Sequence, residues 1–186
     1  MGKFLAGFLL AVVLLAACGF LYFYLGKAPA ATAAAPMPFE KRLAHMALNA
    51  RIKKEMPTAA AIPASEANLL AGAEMYKRDC AVCHGLPGGK KTDIAAGMFP
   101  VPPQLFEHGV TDDPSGETYW KVANGIRLTG MPAFKDTNSD EALWQVSLLL
   151  ANADKLPPSV TAALNSQPMT PGIPPPNDTL KFPATK

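Results

Sequence analysis

The pattern of apolar and polar positions divides the chain. From Phe4 to Leu25, 22 residues carry no charge, and as a helix they would rise about 33 Å, enough to cross a hydrocarbon core of about 30 Å. Residues 28–38 are mostly Ala and Pro with no periodic stripe, which predicts a stiffened tether. From Phe39 to Glu55, the residues Phe39, Leu43, Met46, Ala50 and, roughly, Ile52 fall on one side, with basic residues elsewhere. That spacing predicts a basic amphipathic helix, which either packs on the following domain or lies at a lipid surface. Pro57 and Pro63 close the segment. Ser65 is placed to cap a helix from Glu66 to about Arg78, with Leu69, Leu70, Ala73 and Tyr76 at helical spacing.

A Gly- and Pro-rich stretch from Gly85 to Pro103 predicts a long loop, and Gly116 to Asn124 a short helix ended by Gly125. Asn138 or Ser139 caps the last strong helix, with Asp140 and Glu141 near the positive end of its dipole, and the pattern runs to about Lys155. After a short helical turn around Val160 to Leu164, residues 167–186 are too rich in Pro and too poor in apolar side chains to order themselves. The expected class is all-α. The expected divisions are an anchor over 1–27, the tether and basic helix over 28–64, a helical domain over 65–156 and a flexible tail over 157–186.

Three readings of the first apolar run stay open. Tyr22 and Tyr24 beside Lys27 favour a retained membrane helix, since ring and hydroxyl can face tail and headgroup. A cleaved export signal normally has a shorter apolar run, about 7–15 residues. Leu15-Ala16-Ala17-Cys18 resembles the box cut before a lipid-modified cysteine in bacterial lipoproteins, although apolar sequence continues beyond Cys18. A spanning helix or a lipid would each hold the chain at a membrane.

Charge sharpens the division. Residues 1–65 hold 7 basic and 2 acidic side chains, with Lys41, Arg42, Arg51, Lys53 and Lys54 close together, whereas residues 66–156 hold 8 basic against 12 acidic. A folded part with that sign is wrong for a nucleic-acid partner.

Cys80-Ala81-Val82-Cys83-His84 carries the chemistry. Two residues between the cysteines let both thiols add across the vinyl groups on one edge of a haem, and the adjoining histidine then meets the iron. A thioredoxin-like redox pair would need strands alternating with helices, and no strand-length alternation is present. Structural zinc would need a second ligand pair, and His45 and His108 are each isolated. The cofactor implied is one covalent haem c.

With that motif in place, the stretch from about Glu66 to Lys155 resembles a class I cytochrome c domain. The resemblance implies an all-helical fold around the haem, an early attachment motif and a late methionine ligand. The late match is Asn124-Gly125-Ile126-Arg127-Leu128-Thr129-Gly130-Met131-Pro132-Ala133-Phe134, with Met131 47 residues beyond His84. Met131 is the implied sixth ligand, with Met98 and His108 as rivals. Gly130 and Pro132 are expected to stiffen its loop. A thioether favours ferrous iron and raises the potential relative to harder ligands.

Pro103-Gln104-Leu105 is similar to the family's Pro-x-Leu element. It implies that Pro103 accepts a hydrogen bond from His84 and that Leu105 touches the haem face, though Pro100 and Pro102 compete for the first role. The resemblance also puts Gly72 and Tyr76 against Trp144 and Leu148 where the terminal helices cross. Tyr119, Trp120 and Arg127 flank the Met131 loop as candidate haem-propionate contacts, while Lys90 and Lys91 read as a solvated pair.

The function implied is one-electron transfer between protein redox partners, an oxidoreductase or oxidase among them, by a carrier rather than an enzyme. The domain would stand on the periplasmic side of a bacterial inner membrane, with Lys3 marking the inner end of a single-pass anchor. The alternative is a haem enzyme or gas sensor with an open sixth position.

Overall fold

A computed structural model describes residues 1–107 and 110–166. His108 and the Pro-rich tail from residue 167 lie outside the described residues. The chain groups into two compact units, Met1–Ala47 and the part from Leu48 onward. The secondary structure is helical, with no strand among the described residues.

In the first unit, α1 (Gly2–Tyr24) has 23 residues and none of its side chains is buried. Its length corresponds to about 35 Å, and it is the described helix long and apolar enough to cross a membrane. Helix α2 (Glu40–Glu55) begins in this unit and ends in the second. At its start, the Glu40 carboxylate accepts from the Met37 amide at 2.8 Å, satisfying a donor just before the first turn.

One expectation about α2 needs correction. Ile52 is 3 % exposed, while Phe39, Leu43 and Met46 are exposed. Residues nine apart on a helix point in opposite directions, so Ile52 faces away from Leu43. The helix therefore has two apolar faces, with Leu48 and Ile52 on one, and the stripe of Phe39, Leu43, Met46 and Ala50 on the other.

In the second unit, α3 (Glu66–Met75) is capped by the Ser65 hydroxyl, which accepts from the Asn68 amide. A π-helical turn (Tyr76–Cys80) and α4 (Ala81–His84) continue it. Next come the short α5 (Asp93–Ala96) and α6 (Ser115–Asn124). Helix α7 (Asp140–Ala151) is capped by Ser139, whose hydroxyl accepts from the Ala142 amide at 3.2 Å.

Helices α3 and α7 cross at Gly72, where a Cβ would overlap the Gln145 carbonyl oxygen and lie 2.7 Å from its carbon. Only a residue without a side chain allows that approach. Leu69, Ala73, Tyr76, Leu143, Val146 and Leu150 pack around the crossing. Each large aliphatic side chain buried there contributes roughly 1.5–3 kcal/mol relative to exposure. Trp144 stacks on Tyr119 of α6 with ring centroids 4.2 Å apart.

The helical turn expected around Val160 to Leu164 is present and packed. Helix α8 (Pro158–Asn165) follows Pro157, with Pro158 in its first turn where a missing amide costs nothing. Val160 and Leu164 are fully buried, and the Lys77 ammonium donates to the Ala163 carbonyl at 2.9 Å. The boundary expected at residue 156 therefore moves to the end of α8, because two apolar residues one turn apart are enough to dock it on α3.

Candidate functional site

The attachment motif sits where the first helix of this domain changes pitch. The sequence predicts an uninterrupted helix to about Arg78, yet Tyr76–Cys80 forms a π turn, and the Ala81 amide reaches back to the Tyr76 carbonyl. A π turn admits one extra residue and so rotates the next helical segment about the axis. Its result here is that Cys80 is buried and Cys83 half-buried, while Arg78 is exposed and Lys77 reaches the Ala163 carbonyl.

No disulfide joins Cys80 to Cys83. Burial, and then the Asp79 carboxylate, push the Cys80 thiol up to about 12.

Gly85 ends α4 with φ +73, a left-handed conformation that glycine adopts without cost. Its carbonyl accepts from the buried Tyr76 hydroxyl at 2.7 Å. The Tyr76 ring meets Phe106 edge-on, with centroids 5.0 Å apart. Thr92 caps α5 and also donates through its hydroxyl to the Val82 carbonyl at 2.7 Å. The motif is thus gripped on both sides by hydrogen bonds to its own backbone.

His84 Nδ1 lies 2.7 Å from the Pro103 carbonyl oxygen. A carbonyl only accepts, so Nδ1 carries the proton and the Nε2 lone pair is left for another partner. Among the three prolines in contention, Pro103 holds the imidazole. Burial lowers the His84 pKa, with the Pro103 bond acting in the opposite direction, and the imidazole is favoured in its neutral, ligating form. Leu105, two residues on, is half-buried against the core.

The Met131 loop is built by hydrogen bonds within a few residues. Gly125, at φ +66, ends α6. A Cβ there would come within 2.7 Å of the Ala133 amide nitrogen and 2.8 Å of the Met131 carbonyl oxygen. The Ile126 amide donates to the Met131 carbonyl at 3.2 Å, and the Phe134 amide to that of Val122 at 3.1 Å. Thr129 donates through its hydroxyl to the Ile126 carbonyl at 2.6 Å and accepts from the Met131 amide at 3.1 Å. Gly125 and Thr129, more than Gly130 and Pro132, set the loop. The clue in the sequence is a small hydroxyl residue two positions before the methionine.

Met131 is half-buried against the core. Met98 is its rival in the sequence, and the structure puts Met98 against Gly130, the residue before Met131: a Cβ on Gly130 would overlap the Met98 methyl group.

Other expectations fall elsewhere. The Trp120 indole donates to Glu55 of α2 at 3.2 Å, not toward the Met131 loop. Tyr119 donates to Asp140, and burial and that bond push its hydroxyl up to about 12. Arg127 is exposed, and so are Lys90 and Lys91.

The donor set fits a covalent haem: two unbridged thiols three residues apart on one helical turn, and a neutral imidazole with one nitrogen tied back and one free. A family described as cytochrome C oxidase, cbb3-type, subunit III matches residues 67–148. No curated protein matches the chain. The matched segment holds the attachment motif, Pro103 and Met131, and ends within α7. Residues 67–148 are thus a class I c-type cytochrome domain, all-helical and carrying a covalently bound haem c with its iron.

Proposed function

We propose that the chain is a membrane-tethered monohaem electron carrier in which Cys80 and Cys83 hold the haem and His84 and Met131 are the axial ligands. The observation that carries this is the His84–Pro103 bond, which fixes the ring orientation and leaves Nε2 as the ligating nitrogen. When bound, the haem supplies a one-electron couple between ferric and ferrous iron. The protein's part is to keep both axial donors in place in either state. Ile126 and Thr129 hold Met131 through short-range hydrogen bonds, with Gly125 turning the chain into the loop, and Tyr76 and Thr92 hold the backbone on either side of His84. Leu105, on the loop after Pro103, is the side chain for the haem face. A filled sixth position leaves no site for an exogenous ligand, so the domain transfers electrons and does not activate a substrate.

In this reading helix α1 is the anchor, and the haem domain stands on the periplasmic side of a bacterial inner membrane. The family's description as an oxidase subunit supports a membrane-bound oxidoreductase as partner. Confinement at the same membrane raises the effective concentration of the two. The excess of acidic residues between 66 and 156 suits a partner with a basic docking surface.

Carbon monoxide tests the ligation. The reduced wild-type protein is expected to bind little, and its ferric form to show the weak far-red band of Met-sulfur ligation. Ready binding by the wild type, with no such band, would overturn Met131 as ligand and point to an open iron site.

A further inference from the structure

The exposed stripe of α2 has no role in the haem site. On α2, Leu43 is 57 % and Met46 62 % exposed at a spacing of three residues, and Phe39, just before the helix at φ +64, is 70 % exposed. Scattered apolar residues at a surface are ordinary, but two large ones in one stripe with a third at the start of the helix mark a surface that meets something. The opposite face of the helix turns inward at Ile52.

Two observations say what covers the stripe. The first is charge: α2 carries Lys41, Arg42, Arg51, Lys53 and Lys54, all exposed. Its two carboxylates are engaged nearby, Glu40 with the Met37 amide and Glu55 with Arg51. An apolar stripe on a helix with a basic excess matches an anionic lipid surface, where long basic stems reach phosphates while the apolar side chains enter the headgroup boundary.

The second is continuity. Helix α1 ends at Tyr24 and α2 starts at Glu40, and the chain between them can reach about 50 Å at most when fully extended. If α1 spans a bilayer, α2 is confined beside it.

We propose that α2 lies on the anionic bilayer surface, with Phe39, Leu43 and Met46 in the headgroup boundary and the basic side chains on lipid phosphates. This rests on the reading of α1 as a membrane anchor. It adds a second, peripheral membrane contact to the spanning one, made by a helix that the sequence leaves undecided between lipid and protein.

The test uses the full-length haem-loaded chain with Cys18→Ala, carrying either Leu43→Cys or His45→Cys. Each variant is reconstituted into vesicles of neutral phosphatidylcholine or of phosphatidylcholine mixed with phosphatidylglycerol. The readout is the rate of modification by a water-soluble maleimide, followed by mass. The expected result is that the residue-43 thiol reacts several-fold more slowly than the residue-45 thiol in the anionic vesicles, and that high salt removes the difference.

Equal rates at both positions in anionic vesicles overturn the proposal and would leave a protein partner as the occupant of the stripe. Flotation on neutral vesicles reports α1 separately. A chain that floats but shows equal rates refutes only the α2 contact, whereas one that does not float on neutral vesicles refutes the anchor.

Discussion

Helices α3 and α7 hold each other by shape, while the Pro103 and Met131 loops are held by hydrogen bonds. At the helix crossing, Gly72 lies under the Gln145 backbone, and aliphatic side chains fill the space around it. In the Met131 loop, the contacts that matter join Ile126, Thr129 and Met131 to each other and Phe134 to Val122. Packing is felt through the whole domain, because a displaced helix moves everything docked on it. A loop held by local hydrogen bonds can be altered without moving the scaffold. Stability and ligation should therefore be separable by mutation.

The largest effect is expected from Gly72→Val. Two added methyls and the Cβ meet the Gln145 backbone, and overpacking costs about 3 kcal/mol or more. The expected outcome is loss of coloured holoprotein when it is coexpressed with a cytochrome maturation system. Normal yield and melting temperature would show that the crossing yields more easily than its geometry suggests.

Met131→Ala tests the other side of the comparison. It should leave a folded, coloured domain that loses the far-red ferric band and binds carbon monoxide readily when reduced. A large fall in thermal stability with no change in carbon monoxide binding would mean that Met131 is packing, not ligand.

Gly125→Ala should fall between these. The left-handed backbone costs a non-glycine residue roughly 1–2 kcal/mol, and its Cβ presses on the Met131 carbonyl. Partial loss of the far-red band together with modest destabilisation is expected, with absorbance and thermal melts read on the same sample.

Tyr76→Phe keeps the ring contact with Phe106 but leaves the Gly85 carbonyl without its donor, at a cost of about 1–3 kcal/mol. A denaturant melt should show the loss, and the reduction potential should move because Gly85 adjoins His84. The smallest effect is expected from Trp120→Phe, which removes a part-exposed bond to Glu55 and should cost under about 1 kcal/mol. An unchanged reduction potential would confirm that Trp120 is apart from the haem site, and a clear shift would restore it as a propionate contact.

Several features are legible in the sequence because they are local. The Cys-x-x-Cys-His spacing, the Ser65 and Ser139 caps and Gly125 as a helix stop each act within a few residues, and the structure shows both caps and the stop in use. The π turn is not legible, since the residues around it keep a plain helical spacing and Lys77 bonds to Ala163, 86 residues away. Helix α5 escapes a reading of periodicity because four residues carry none, although Thr92 is a readable cap. The inward face of α2 is ambiguous because the spacing allows two stripes, and only packing decides which of them is buried.

By itself the amino-acid sequence determined the class of the domain, its covalent cofactor and the order of its helices. These come from backbone hydrogen bonding, periodicity and the fixed reach of a two-residue spacer, all of which operate at short range. The tertiary structure alone decided which proline holds His84, that Trp120 meets Glu55 65 residues away, and that α8 belongs to the domain. Those are choices among partners far apart in the chain, and they are settled by which arrangement buries the most apolar surface while leaving the fewest polar groups unpaired.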